Sequence, residues 1–211
     1  MSLLCLFSLQ KAIPVHKIDL SAQEKKISLS SQFLKYLNLG QKRLISSIIW
    51  IETLMNADTE HFDESSGEHS WLFYRFRGIV TIDPKFYEAY LYGAKYLSII
   101  KDEPKGAQII LDKGLAVYPN DYRLHYYAAY NQYIELNNSA KSLKHYHFLV
   151  NHPKSKNHPI IHGIYARVLA QEDSKEDAYF VMYNMYQQLE DPTLKDVYRR
   201  RLEELQKEGS Y

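Results

Sequence analysis

Five of the nine histidines lie in one stretch, from His145 to His162, and imidazole is the commonest metal ligand in proteins. His158 and His162 are four residues apart and would share one face of a helix, whereas His145 and His147 would point apart. The stretch lacks the His-Glu-x-x-His pattern and has no carboxylate at ligand spacing. His158, directly before Pro159, is more simply a residue at the start of a helix. We therefore predict no metal site and no resident cofactor.

Candidate nucleophiles are also weakly supported. The single cysteine, Cys5, lies in an apolar stretch without a neighbouring base, and it cannot form an intrachain disulfide. The segment HFDESSGEHS, residues 61–70, combines serine, histidine and aspartate, but such a mixture is typical of a solvated loop. The chain contains no G-x-S-x-G motif, no phosphate-binding glycine loop and no dinucleotide fingerprint. We predict that the protein is not an enzyme and has no catalytic residues.

The charge balance disfavours nucleic acid as the main partner. The chain has 26 Lys and Arg against 25 Asp and Glu, so the formal net charge is +1. A near-neutral chain has no overall basic surface for phosphates. The basic run YRRRLEEL, residues 198–205, is best explained as a solvated helix face with ion pairs such as Arg200–Glu204.

The elements that would position these residues follow a repeat. Pro84, Pro119 and Pro153 are 35 and 34 residues apart, and each stands between two amphipathic stretches. Proline cannot continue the helix before it, so it marks the connection between helices. A fixed period in this range is typical of a helical solenoid.

The period and the residues within it resemble the tetratricopeptide repeat, a pair of antiparallel helices of about 34 residues. Small residues recur where the two helices of each pair would cross and must approach closely. They are Ala94, Ala129 and Ala166 on the first helices and Ala107, Ser142 and Ala178 on the second. The resemblance implies an all-α fold: an α–α superhelix of three to four helix hairpins with a C-terminal capping helix.

The chain divides into four parts on this interpretation. Residues 1–30 form an N-terminal tail, 31–68 a degenerate first repeat, 69–190 the repeats, and 191–211 the capping helix and tail. The degenerate repeat would have a long helix over 34–57 and an acidic surface loop over 58–70. In the last part, Asp191 would cap a helix that begins at Pro192.

Three hypotheses remain for the apolar N-terminal run MSLLCLFSLQKAIP. It is a tail that stays free or docks on the domain, the shortened end of a membrane anchor, or a signal peptide. The first predicts a cytoplasmic protein, and the second predicts a membrane-associated or periplasmic one. The phrases IDP at 82–84 and GLAVYPND at 114–121 are similar to those of bacterial tetratricopeptide proteins with a short N-terminal anchor. That resemblance implies an envelope-associated or membrane-proximal adaptor.

In such an array the first helices of the pairs would line a concave groove. On a helix over 122–135, Ala128, Ala129 and His125 would face the partner helix, and a stripe on another side would face the groove. Rigid aromatic rings and cations are frequent in binding hot spots. The predicted contact residues are Lys95, Arg123, Tyr126, Tyr130, Tyr133 and Arg167. The same rule places Glu88, Leu91 and Ser98 on the stripe of the preceding unit. The alternative is that these tyrosines only pack against one another.

The resulting functional hypothesis is a non-catalytic adaptor that binds a protein or peptide segment in the groove. A second hypothesis is a structural subunit of a bacterial envelope or motility assembly that uses the convex wall. A third, RNA binding, requires affinity that collapses with salt, and the neutral charge disfavours it. The oligomeric state and the identity of the partner stay open.

Overall fold

The computed structural model describes residues 40–57, 69–172 and 174–208, and the regular elements in those ranges are all helical. The all-α class predicted from the sequence is confirmed. Nine α-helices occur in the described ranges: α1 (Lys42–Met55), α2 (Trp71–Ile82), α3 (Tyr87–Lys95), α4 (Pro104–Val117), α5 (Tyr122–Tyr130), α6 (Ser139–Asn151), α7 (Pro159–Gln171), α8 (Lys175–Gln188) and α9 (Pro192–Glu208). Single π-helical turns extend α3 over Tyr96–Ile100 and α5 over Asn131–Glu135. A 3-10 turn, Pro153–Asn157, precedes α7.

The helices pack in the order in which they occur along the chain. Helices α1 and α2, α3 and α4, α5 and α6, and α7 and α8 form four pairs, and α9 packs against α8. Further contacts join α3 to α5 and α2 to α4, so like helices of neighbouring pairs also touch. Helix α3 therefore lies beside the first helix of the next pair, α5, and α2 lies beside the second helix of the next pair, α4.

Local signals in the sequence fix several helix starts. The side chains of Ser70 and Asp121 accept hydrogen bonds from the backbone N–H groups of Phe73 and Leu124, at 3.1 and 2.9 Å. Asp191 Oδ1 likewise accepts from Thr193 N at 2.8 Å, next to Pro192 at the first position of α9. These caps satisfy N–H groups that have no partner within the helix. The predicted cap at Asp191 is confirmed.

The small residues at the predicted helix crossings are buried. The six small side chains are nearly inaccessible, and they are Ala94, Ala107, Ala129, Ser142, Ala166 and Ala178. Glycine permits two still closer contacts. A Cβ on Gly93 would lie 2.9 Å from the Phe76 ring, and one on Gly114 would lie 2.9 Å from Tyr90 Cβ. Both distances are too short for a real side chain, so the helices could not approach this far with alanine.

The first pair differs from the prediction. The continuous helix expected over 34–57 is wrong in the described part, because Gly40 has φ +82° and α1 begins only at Lys42. Positions 34–39 and the predicted acidic loop at 58–68 lie outside the described residues. Helices α1 and α2 are joined by polar contacts. Arg75 Nε donates to Thr53 Oγ1 at 3.0 Å, and an Arg75 amino group pairs with Glu52 at 2.6 Å.

The backbone conformation at the end of α3 recurs at the end of α5. In both π turns an N–H bonds to the carbonyl five residues earlier, and a residue with positive φ follows: Asp102 (φ 53°) and Asn137 (φ 48°). These two residues are 35 positions apart. Asn131, which is buried, accepts from Ser98 Oγ at 2.8 Å and donates to the Pro104 carbonyl at 2.9 Å. This bond network ties the end of α3 and the start of α4 to the end of α5 in the next pair.

The buried apolar residues form two clusters that meet on α5. The first runs from Ala57 to Ala128, and the second runs from Ala129 to Leu205. The Trp50 ring belongs to the first cluster and lies 5.7 Å from Phe76 and 5.8 Å from Phe86, centroid to centroid. None of the described helices combines the length and the apolar character needed to cross a membrane.

Candidate functional site

The six predicted contact residues lie on the first helices of three successive pairs. Lys95 is on α3, Tyr133 is on the π turn that follows α5, and Arg167 is on α7. The remaining three, Arg123, Tyr126 and Tyr130, are on α5. The six residues line three clefts in pairs: Lys95 and Tyr130 the first, Arg123 and Tyr126 the second, and Tyr133 and Arg167 the third.

The cleft between α3 and α5 is narrow and closed by Lys95. Its ammonium lies 4.8 Å from the centre of the Tyr127 ring and 5.6 Å from that of Tyr92. A cation over an aromatic face is attracted by the ring quadrupole. Tyr130 and Ile99 complete the rim of this cleft. Lys95 therefore links the two helices and leaves one side of its charge toward solvent.

A cavity of about 280 Å³ lies between the beginnings of α5 and α7. Its lining consists of Tyr122, Arg123, Tyr126, Tyr127, His158 and Ile161. The Arg123 guanidinium lies 5.1 Å from the Tyr87 ring centre, and the Tyr87 hydroxyl donates to Asp121 at 3.0 Å. Burial and the Asp121 carboxylate raise the pKa of Tyr87 to about 12, although Arg123 acts in the opposite direction. Arg123 is thus held in place by neighbours and remains exposed to a ligand.

Two larger cavities share Arg167 and Gln171. One, of about 460 Å³, lies where α5 and α7 end, and it is lined by Tyr133, Ile134, Asn137, Ser139, Arg167, Gln171 and Glu172. The other, of about 380 Å³, lies between α7 and α9, and it is lined by Arg167, Ala170, Gln171, Arg201 and Glu204. Arg201 is paired with Glu204 at 2.7 Å, whereas exposed Arg167 has no hydrogen bond or ion pair within the described part of the chain. Its charge is therefore open to an anionic group.

The three tyrosines of the predicted stripe differ in exposure. Tyr126 is 37% exposed, and its ring meets Tyr127 edge-on at 5.3 Å. Tyr133 is half-buried and packs edge-on against buried Tyr146 at 6.2 Å. Tyr130 is also half-buried. Its pKa is raised, mainly by burial and to a smaller extent by a hydrogen bond with Glu135. Tyr126 offers the most surface to a ligand, while Tyr130 and Tyr133 both pack and line the clefts.

Three exposed apolar residues on α3 and in the π turns were not among the predicted contact residues. They are Tyr92, Ile99 and Ile134. Ile99 and Ile134 occupy matching places in the two π turns, 35 residues apart, and that equal spacing is a signal present in the sequence. Leu91 and Ser98, which were expected on the stripe of α3, are buried instead. The accessible line on α3 and its π turn is Glu88, Tyr92, Lys95 and Ile99, of which Tyr92 and Ile99 are exposed and the other two half-buried. This line is rotated about the helix axis by about half a residue from the predicted one.

The histidine stretch forms a packing cluster. His125 on α5 faces the partner helix as predicted, since its Nδ1 lies 3.0 Å from Nδ1 of His145 on α6. His125 Nε2 bonds to the Pro119 carbonyl at 2.9 Å, and its ring stacks on Phe148 at 3.8 Å. Across the described ranges, no three His, Cys, Asp or Glu side chains come together as a metal-binding group. His158 is exposed on the rim of the α5–α7 cavity.

The hydrogen bond of His125 to the Pro119 carbonyl determines which ring nitrogen carries the proton in His125 and in His145. Because Nε2 of His125 must donate to Pro119, its Nδ1 carries a lone pair and accepts from His145. His145 Nε2 then carries no proton, and it is buried without a hydrogen-bond partner among the described residues. Burial, with Lys144 and His125 close by, lowers the pKa of His145 to about 3, and burial also lowers the pKa of His125. Both rings are neutral at physiological pH.

The basic run on α9 forms ion pairs, but not the expected one. Arg200 pairs with Asp196 at 2.7 Å, so the predicted Arg200–Glu204 pair is wrong. Arg199 also contacts Asp196, and Glu204 is taken by Arg201. Asp196 lies four residues before Arg200, which is the more favourable order for an acid and a base on a helix. The run is a solvated, internally neutralised face.

Comparison with known proteins adds no family assignment. No family model matches the chain, and a search of curated proteins finds no significant match.

Proposed function

We propose that this chain is a tetratricopeptide-type helical repeat protein whose first helices line a groove that binds a segment of a partner protein. The observation that carries the proposal is the row of cations and exposed apolar side chains along α3, α5 and α7. Lys95, Arg123 and Arg167 alternate there with Tyr126 and Ile134. The first helices α3 and α5 are in contact, and side chains of α5 and α7 line one cavity, so the three helices follow one another along the row. Protein-binding hot spots combine aromatic or aliphatic anchors with arginine in this way.

The groove favours a partner segment with both apolar and acidic side chains. Apolar anchors of the partner would displace water from Tyr126 and Ile134. Its carboxylates would orient on Arg123 and Arg167, because arginine binds carboxylates with two parallel hydrogen bonds. Binding alone is the function on this proposal. No cofactor is required, and the cavities of about 280–460 Å³ fit single side chains of an extended segment.

The test compares two variants that each replace three exposed side chains. The groove variant combines Tyr126→Ser, Ile134→Ser and Arg167→Ser, and the wall variant combines Phe180→Ser, Tyr183→Ser and Lys113→Ser. Each is immobilised beside wild type, and bound proteins from a native bacterial lysate are identified by mass spectrometry. We expect a partner that binds wild type and the wall variant but is lost from the groove variant. As a control, wild type and the two variants must have the same helicity and the same melting temperature.

A second candidate function rests on the outer face of α8. Phe180 and Tyr183 are exposed, and the rings of Tyr179 and Tyr183 stack at 6.1 Å. An exposed aromatic cluster on a second helix suits a permanent contact, as expected for a structural subunit of an envelope or motility assembly. Loss of the partner from the wall variant alone would favour this function over the groove adaptor. RNA binding would instead require capture that falls steeply between 50 and 200 mM salt.

A further inference from the structure

Helix α1 carries a stripe of exposed aliphatic side chains. Leu44, Ile48, Ile51 and Met55 are 57%, 57%, 58% and 81% exposed. They recur at intervals of four, three and four residues, so they lie on one side of the helix. Another side of α1, which carries Ser46 and Thr53, is buried. A contiguous apolar patch, unlike scattered apolar residues, marks a binding surface.

The same spacing of four, three and four recurs on the first helices of the other three pairs. The three rows are Glu88, Tyr92, Lys95 and Ile99 on α3 and its π turn, Arg123, Tyr127, Tyr130 and Ile134 on α5 and its π turn, and Ile160, Ile164, Arg167 and Gln171 on α7. All of these side chains are exposed or half-buried. The stripe on α1 is therefore the first of four equivalent rows.

The residue two places after the start of a row shows how the row is oriented. Ser46 on α1 donates to a backbone carbonyl of α2 at 3.4 Å. Tyr90 on α3 lies against Gly114 of α4, where a Cβ would be 2.9 Å from it. His125 on α5 contacts His145 of α6 at 3.0 Å. Because this residue faces the paired second helix in three pairs, the α1 stripe has the same orientation in its pair as the rows of α3 and α5.

The stripe and the row of α3 are joined at their first residues. Arg43, next to Leu44, pairs with Glu88 at 3.4 Å. Its guanidinium also lies 4.2 Å from the centre of the Phe86 ring, just before α3. The Trp50 ring of α1 approaches the same phenylalanine at 5.8 Å. Helix α1 therefore lies beside α3, and the stripe extends the proposed groove by one helix.

The chemistry of the rows changes from one end of the array to the other. The row on α1 is entirely aliphatic. On α3, Glu88 is paired with Arg43, and the Lys95 ammonium lies over aromatic rings. Exposed guanidinium groups follow on α5 and α7, at Arg123 and Arg167. An occupant that matches all four rows is therefore apolar at one end and anionic at the other.

We propose that one partner segment occupies the four rows, with aliphatic side chains on α1 and carboxylates on α5 and α7. This inference rests on the proposed groove function and adds the α1 stripe and the order of side chains along the segment. Packed helix axes are about 8–10 Å apart, so three steps from α1 to α7 span about 24–30 Å. An extended chain advances about 3.3–3.6 Å per residue, so the aliphatic and acidic side chains are about seven to nine residues apart.

The size of the stripe favours this occupant over a second copy of the chain. A helix of 14 residues is about 21 Å long and about 10 Å wide, so one face measures about 200 Å². A stable interface between separate proteins needs about 800 Å² per partner. The stripe alone is too small for such an interface, but as the end of a groove it adds to the area that a partner segment buries on α3, α5 and α7.

Selection from a library of random 16-residue peptides displayed on phage tests the order of the side chains. The full chain is the immobilised target. We expect the enriched peptides to share an aliphatic cluster and an acidic cluster about seven to nine residues apart. An enriched peptide is then synthesised with a fluorescein label, and its Kd for wild type and for variants is measured by fluorescence anisotropy.

Three double variants locate the two ends of the peptide. The stripe variant combines Ile48→Gln with Ile51→Gln, and the arginine variant combines Arg123→Gln with Arg167→Gln. The control variant, Ile109→Gln with Val117→Gln, removes two exposed aliphatic side chains from α4. The Kd should rise by about ten-fold or more in the first two variants and by less than about two-fold in the control. If the stripe variant is less helical than wild type, Leu44→Gln with Met55→Gln repeats the test.

The two proposals fail in different ways. A peptide that loses affinity for the arginine variant but binds the stripe variant like wild type would leave the groove function standing and overturn its extension over α1. Loss with the stripe variant alone would make the stripe a separate apolar site and also overturn the extension. Unchanged affinity in both variants, or a selection without a shared pattern, would overturn the groove function as well.

The other occupants of the stripe have their own signatures, and each would overturn the extension. A wild-type dimer in light scattering that the stripe variant no longer forms would assign the stripe to a second copy. Flotation with vesicles of phosphatidylglycerol and phosphatidylethanolamine, lost in the stripe variant, would assign it to a lipid surface. A melting temperature that falls in the stripe variant but not in the control variant would show that the chain itself covers the stripe.

Discussion

Lowering the pH from 7.5 to 5.0 should destabilise the protein through its buried histidine pair. The pKa of His145 is about 3 in the folded chain and about 6.5 when it is exposed. Between these values the unfolded chain binds a proton that the folded chain excludes, so stability is full above pH 6.5 and is lost as the pH falls below it. Linkage over this range gives a loss of about 2 kcal/mol from His145 alone.

Urea unfolding at a series of pH values measures this loss. Other groups titrate in the same range, so wild type is compared with His145→Gln, which removes the buried imidazole. We expect the variant to lose about 2 kcal/mol less than wild type between pH 7.5 and 5.0. The control His158→Gln removes an exposed ring and should keep the wild-type profile. Parallel profiles for wild type and His145→Gln would refute the reasoning, as would an NMR titration of native His145 near pH 6.5.

Other substitutions test the packing. Gly114→Ala should cost about 1–3 kcal/mol of unfolding free energy by overpacking, whereas Gly163→Ala, whose Cβ meets only a hydroxyl at 3.6 Å, should stabilise α7 by about 0.5–1 kcal/mol. Thermal melts of the two variants should therefore shift in opposite directions. Asn131→Ala should cost about 2–3 kcal/mol in urea unfolding, because it leaves buried partners without hydrogen bonds. Asp121→Ala should cost about 1 kcal/mol by loss of the α5 cap, and the pKa of Tyr87, followed by ultraviolet absorbance, should fall from about 12.

Much of the fold follows from the sequence because its signals are local or periodic. The spacing of Pro84, Pro119 and Pro153 marks the connections between pairs. Buried Ala94 and Ala129 mark the crossings, since only small side chains allow close approach. The start of α1 was not predictable from hydrophobic spacing. The apolar pattern continues through Gly40, and only the positive φ of that residue shows that the helix does not.

The exposure of the candidate residues was predictable in part. A helix at 100° per residue places Tyr126 and Arg167 on exposed sides, as the structure has them, but an error of half a residue exchanges Leu91 for Tyr92 on α3. The sequence did not predict the π turns, because no particular amino-acid composition marks a π-helical turn. They place Ile99 in the cleft between α3 and α5 and Ile134 in the cavity where α5 and α7 end. The ion pair of Arg200 could have been predicted from spacing and order, because Asp196 precedes it by four residues and Glu204 follows it by four, and the first order is the more favourable.

The division of the core into two clusters has a spectroscopic consequence. Both tryptophans of the chain, Trp50 and Trp71, pack on the first cluster, whereas tyrosines occur in both. Indole fluorescence therefore follows only the N-terminal pairs, while circular dichroism at 222 nm follows every helix. In a stacked array each unit is stabilised mainly by its neighbours, so the ends can open separately. Coincident denaturation curves from the two signals would show that α5 couples the clusters into one cooperative unit, and separated curves would show two.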